Sequence, residues 1–192
     1  MKSIISRYRS SSLLWQATAS VVSFMLYGMS SAMLEASYAA SKFPVPYYVG
    51  QTSFDAVKVK SWYQVMLNAG TMQIYYNTQL IDFAFIASVI AGGFFIWTLL
   101  ANLHSNAFFK SWGYRAAFLL PLAGLFDVFE NVVSFFMIAN PTNFPNGIVI
   151  VYSAFAVIKF VFWFLALSWL MISIFALLVT KAIRRLAISR AH

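Results

Sequence analysis

The sequence predicts an all-α fold: a polytopic membrane protein built as a four-transmembrane-helix bundle, with an outer amphipathic helix at the interface. Three observations predict it. Of 192 residues, 61% are hydrophobic and only 9% are charged, against about a quarter charged in soluble domains. A soluble chain of this length needs a polar exterior that this composition cannot supply. Four apolar stretches, roughly 13–34, 79–103, 114–139 and 147–179, each reach the ~20 residues needed to cross a ~30 Å hydrocarbon core. The basic residues gather outside those stretches. The whole chain, 1–192, reads as a single membrane domain.

The formal net charge is +8. Lys2, Arg7 and Arg9 precede the first stretch, and Lys181, Arg184, Arg185 and Arg190 follow the last. Lys110 and Arg115 fall between the second and third. An even number of crossings puts all three groups on one side, which the positive-inside rule makes cytoplasmic. The chain is then expected in the cell membrane with both termini cytoplasmic, and with the 35–78 loop and the 140–146 turn outside. The basic ends are matched to anionic lipid headgroups. No basic stripe interleaved with stacking aromatics lies in a polar segment, so nucleic acid is not an expected partner. The chain has no cysteine, which removes disulfides, thiolate metal sites and cysteine nucleophiles.

The first span has a basic start, and Ala36–Ala39 is a weak small-residue cleavage site. Its apolar part is too long for a signal peptide and is interrupted by Gln16, Thr18, Ser20 and Ser23, so an uncleaved helix is expected. Gln16, Ser20, Ser23, Tyr27 and Ser30 recur every three or four residues and form one polar stripe. That stripe should face other helices rather than lipid. In the outer loop, Pro44 and Pro46 predict an extended segment from Phe43 to Tyr48. Ser53 is positioned to cap a helix running to about Ala69, with Gly70 as its stop. Val59, Trp62, Tyr63, Met66 and Ala69 give that helix an apolar face, and Lys58 and Lys60 can reach headgroups. It either lies on the outer leaflet or closes over a site between the spans.

The second span places Tyr75, Gln79 and Asp82 on one face near the outer surface, with Asp82 about 5 Å below the helix start. Ala91-Gly92-Gly93 permits close approach of another helix. His104 is expected at the cytoplasmic interface. The third span carries Pro121, which should kink it, and then Asp127, Glu130 and Asn131. Their i, i+3, i+4 spacing puts two acids and a carboxamide on one helical face. The fourth span carries a single cation, Lys159. Asp127 lies twelve residues from the outer end of its span and Lys159 twelve from the start of its own, about 18 Å deep in each case. The connecting turn is short, so the two helices should be antiparallel neighbours and Lys159 should meet Asp127 or Glu130. Tyr152 and Trp163 fall on the same side of the helix as Lys159.

Charges near a bilayer midplane cost about 2.5–3.5 kcal/mol each on insertion scales and usually mark function. One lysine cannot neutralise two buried carboxyls. At least one, Glu130 foremost, is expected to be protonated or to face water. Asp82, Asp127, Glu130, Asn131 and Lys159 are therefore the candidate ligand- or proton-binding residues. Three readings remain open. The cluster binds or conducts a proton or a small or lipid-like ligand, serves acid–base chemistry on a lipid or isoprenoid, or only fixes helix pairing in an accessory subunit. The sequence contains no His-Glu-x-x-His, no Gly-x-Ser-x-Gly and no phosphate loop, so no metal or cofactor is expected. Membrane lipids are the expected partners, with a homo-oligomer or a larger membrane partner plausible for so small a bundle.

Tyr63, Gly70, Tyr75 and Asp82, then the Asp-x-x-Glu-Asn of Asp127, Glu130 and Asn131, then Lys159, together resemble a pattern in a group of uncharacterised four-helix bacterial integral membrane proteins. The likeness runs from about residue 60 to 160. It implies a shared architecture in a bacterial inner membrane and carries no activity with it.

Overall fold

The computed structural model describes residues 11–189, which form seven helices and no strand. These are α1 (Leu13–Ser41), α2 (Tyr47–Gln51), α3 (Ala56–Asn68), α4 (Met72–Leu103), α5 (Ala107–Ala116), α6 (Leu119–Ala139) and α7 (Gly147–Ser189). Lys2, Arg7, Arg9 and Arg190 lie outside the described residues. Four helical segments are long and apolar enough to cross a membrane: α1, α4, α5 together with α6, and most of α7. Large apolar side chains such as Leu14, Phe164, Met171 and Phe175 stand well exposed on α1 and α7. A belt of that kind needs an apolar surrounding.

The long helices pack as a row: α1 on α4, α4 on α6, α6 on α7. The polar stripe of α1 is turned inward as its spacing requires. Gln16, Ser20, Ser23 and Ser30 are buried and Tyr27 half-buried. Ser30 bonds Ser88 of α4 at 3.0 Å, and Ser37 bonds Thr78 at 2.7 Å. Near the far end of the same interface, Asn102 donates to Gln16 at 2.6 Å, and Tyr114 donates to Asn102.

Three helix starts are set by side-chain capping groups rather than by the edge of the apolar stretch. Ser12 accepts from the Trp15 amide, Asp55 from Val57 and Lys58, and Asn106 from Phe108 and Phe109. The cap of α3 is thus Asp55 and not Ser53. A carboxylate two residues nearer the helix accepts both orphan amides, at 2.9 and 3.1 Å. Gly70, at φ +67°, ends α3 as expected. The Phe43–Tyr48 segment is not extended throughout. Pro46 keeps extended dihedrals as the residue before α2, and helix begins at Tyr47.

The amphipathic helix forms as α3, with its apolar stripe turned onto the end of the bundle. Val59, Tyr63 and Met66 are buried against Tyr75, Met137, Phe144, Val149 and Tyr152, although Ala69 is exposed. Lys60 reaches protein rather than standing free: its Nζ donates to Asn146 at 2.7 Å and lies 4.9 Å above the Phe144 ring. Phe54, at φ +53°, donates its amide to Ser153 of α7 at 3.1 Å. This end of the molecule is therefore roofed by α2 and α3.

At the opposite end the third span is not one uninterrupted helix. α5 and α6 are separated at Ala117–Phe118, and Pro121 sits in the first turn of α6, where a missing N–H is tolerated. The break therefore precedes Pro121, which does not kink the span in its interior. α5 folds His104 into the protein instead of leaving it at an interface. The ring is 5% exposed, bonds Ser173 at 2.7 Å and stacks on Phe109.

Glycine sets the closest helix contacts. A Cβ at Gly93 of α4 would lie 2.5 Å from Leu120 Cβ of α6, and one at Gly124 would lie 2.6 Å from Ile90 Cγ1. Gly28 on α1 has nothing within 4 Å of the same position. Overpacking of a dense helix interface costs about 1–3 kcal/mol. Gly93→Ala is therefore expected to lower the thermal unfolding midpoint in detergent, whereas Gly28→Ala, which meets open space and is the better helix former, should leave it unchanged or raise it slightly.

Candidate functional site

The candidate residues come together at one level of the bundle, nearer its roofed end. Asp82 lies ten residues into α4, Asp127 twelve residues before the end of α6, and Lys159 twelve residues after the start of α7. At 1.5 Å per residue these are depths of about 15–18 Å below the roofed end. Asp82 is deeper than the sequence suggested, because α4 begins at Met72 rather than near Gln79. It is 2% exposed and not at a wet helix head.

Lys159 Nζ sits between two carboxyls of α6, 2.9 Å from Asp127 Oδ1 and 2.5 Å from Glu130 Oε2. The depth match between α6 and α7 holds, and the lysine engages both acids at once. Asn131, on the next step round α6, turns to α4 and donates Nδ2 to Asp82 Oδ2 at 2.7 Å. Tyr47 of α2 approaches the same oxygen at 3.5 Å. Burial, and then the neighbouring Asp82 carboxyl, hold the Tyr47 phenol well above its ordinary range, so it remains a neutral donor. Tyr152 and Trp163 are not the ring partners of the ammonium. Phe160, the next residue on α7, is, with its centroid 5.0 Å from Nζ. Tyr152 instead belongs to the apolar core beneath α3.

A cavity of about 510 Å³ opens beside the cluster, between α1 and α7, the two ends of the helix row, with α2 above. Asp82, Asp127 and Lys159 line it. Glu130 and Asn131 do not: both are fully buried behind the others, where Glu130 Oε1 and Asn131 Oδ1 have no hydrogen-bond partner. The five candidate residues thus divide into three that face the cavity and two that back them. The walls are largely aromatic, with Tyr27, Tyr38, Phe85 and Trp163 among them. The mouth lies at exposed Glu35, Tyr48 and Phe160. A second, narrower space of about 220 Å³ continues along α1 and α7 past Tyr27 and Trp163 toward Trp97 and Leu170.

Three contributors escaped the sequence reading. Glu35 falls just beyond the first apolar stretch, although it stands within α1. Tyr47 and Gln51 sit on the short helix α2, which only folding brings over the cluster. Gln51 is 2% exposed and lines the cavity with its Nε2 unpartnered. The one available signal was Glu35 itself, one of only five acidic residues in the chain.

The arrangement can hold a polar group against carboxyl oxygens while an apolar part lies along aromatic walls, as small-molecule pockets of this size do. No protein-family model matches the chain, and no curated protein or solved structure shows significant similarity to it.

Removing one partner of a buried ion pair leaves an uncompensated charge and costs about 3–5 kcal/mol, whereas neutralising the whole set is often tolerated. Lys159→Met is therefore expected to lower the unfolding midpoint in detergent steeply. The triple variant Asp127→Asn/Glu130→Gln/Lys159→Met should recover most of that loss. A Lys159→Met protein as stable as wild type would show that the ammonium is not what holds α6 to α7.

Proposed function

We propose that this chain is a multi-pass protein of the cell membrane, the bacterial inner membrane by its resemblance, that binds a small or lipid-like ligand in the cavity between α1 and α7. Both termini are cytoplasmic in this reading. It is supported by Lys110 and Arg115 on α5 and Lys181 and Arg185 near the end of α7, which stand toward the ends of the apolar segments opposite α2 and α3. The roofed end then faces outward, and the cavity mouth opens sideways toward lipid.

The observation that carries the binding function is Asp82. Pairing with Lys159 accounts for Asp127 Oδ1 and for Glu130, so a purely structural cluster would be complete without a carboxyl on α4. Asp82 has only the neutral donors of Asn131 and Tyr47 and stands at the cavity wall. A carboxyl kept at such depth without a cation of its own suits a site for something that enters. Glu130 is enclosed and turned away from the cavity, which favours a ligand over a proton path through it.

Filling the cavity tests this. Leu34 of α1 lines it and is half-buried. Leu34→Trp should fold normally and lose small molecules that native mass spectrometry finds bound to the wild-type protein. Equal occupancy in both would remove the cavity from consideration. Comparison of cellular lipids with and without expression separates binding from chemistry: a lipid pool altered by the wild type and restored by Asp127→Asn would make the protein an enzyme instead.

A further inference from the structure

Four of the five acidic residues gather at this one cavity. Glu35 stands at the mouth, Asp82 and Asp127 line the interior, and Glu130 lies directly behind, joined to Asp127 through Lys159. The fifth, Asp55, is committed to capping α3. In a chain of net charge +8 the cavity therefore has a polarity opposite to that of the protein as a whole. Lys159 does not reverse this. Its ammonium is already held by Asp127 Oδ1 and Glu130 Oε2, at 2.9 and 2.5 Å, and Asp82 adds a third carboxyl that it does not pair with.

Resting on the binding function proposed above, we infer that the ligand is an amphipathic amine, bound as its ammonium ion with an apolar tail. Two acceptors are free for the N–H groups: Asp82 Oδ1 and Asp127 Oδ2 enter no hydrogen bond among the described residues, and both side chains line the cavity. Hydrogen bonds between an ammonium and a carboxylate are among the stronger ones available. Aromatic residues Tyr27, Tyr47 and Trp163 line the same cavity, and the face of an aromatic ring attracts a cation. The narrower apolar space past Tyr27 and Trp163 accepts the tail. An anionic ligand would meet Lys159 only by passing Glu35 and lying against Asp82, so the arrangement selects against it.

The ammonium can belong to a free amine or to the headgroup of a lipid, and short-chain probes distinguish the two. The full-length protein in non-ionic detergent would be titrated with hexylamine, hexanol, hexanoate, dihexanoyl phosphatidylethanolamine and dihexanoyl phosphatidylglycerol. Tryptophan fluorescence, which Trp163 reports from the cavity wall, would be read alongside the thermal shift. Saturable binding of hexylamine or of the ethanolamine lipid, at least about tenfold tighter than hexanol and hexanoate, is expected. The tighter of the two identifies the source. Asp82→Asn keeps an acceptor for Asn131 and should weaken that binding about tenfold or more. Glu35→Gln, exposed and outside the packed core, should weaken it about two- to fivefold with no change in unfolding midpoint. Hexanol, hexanoate or the glycerol lipid binding as tightly as the amines, or amine affinity unchanged in both variants, would overturn the amine inference while leaving a ligand cavity in place. No saturable binding by any probe would overturn the binding function as well.

Discussion

A single ammonium lies between two carboxyls of one helix, deep in an apolar bundle, and the middle of the structure is arranged around that contact. Lys159 fixes the register of α7 against α6, because only one axial offset lets Nζ reach both Asp127 and Glu130. A shift of one turn would break at least one of these two contacts and leave a buried carboxyl without its partner. With that register set, Asn131 is carried round α6 to meet Asp82 on α4. One ion-paired set thereby ties three helices together, and the cavity takes its polar wall from the same residues.

The bundle around it is held by a different kind of contact. Between α4 and α6 the backbones come close because Gly93 and Gly124 leave room for Leu120 and Ile90. Between α1 and α4 the link is a line of small hydroxyls and amides, Ser30 to Ser88 and Ser37 to Thr78 among them. Where two helices are apolar on both sides, neither lipid nor partner is preferred by hydrophobicity alone, so small residues and hydrogen bonds choose the partner. Among the described residues α1 and α7 have no comparable set between them, and it is there that the cavity lies.

Much of this was legible in the chain. Four apolar stretches of sufficient length gave the four spans, the three- and four-residue recurrence of Gln16, Ser20, Ser23 and Ser30 gave the inward face of α1, and a count of residues along two antiparallel helices brought Lys159 to Asp127 and Glu130. What the sequence obscured follows from what hydropathy measures. It marks the apolar slab, whereas helices continue until a cap or a break stops them. α4 starts at Met72, several residues before its apolar stretch, and that difference moves Asp82 from a helix head into the interior. Ser53 and Asp55 are both plausible caps by residue type, and only the local backbone decides between them. Tyr47, Gln51 and Glu35 belong to the site through tertiary placement, for which no local pattern exists.

The chain order of the paired charges has a consequence for biogenesis. Asp127 and Glu130 are synthesised well before Lys159, which follows Glu130 by 29 residues. A nascent α6 therefore leaves the ribosome with two acids and no counterion. The turn between α6 and α7 is only a few residues long, so the counterion arrives on the very next segment. Insertion of α6 and α7 together, as a helical hairpin, avoids exposing an unpaired α6 to lipid. The charge pair thus favours bringing the two helices together early, as well as fixing the shape the finished bundle adopts.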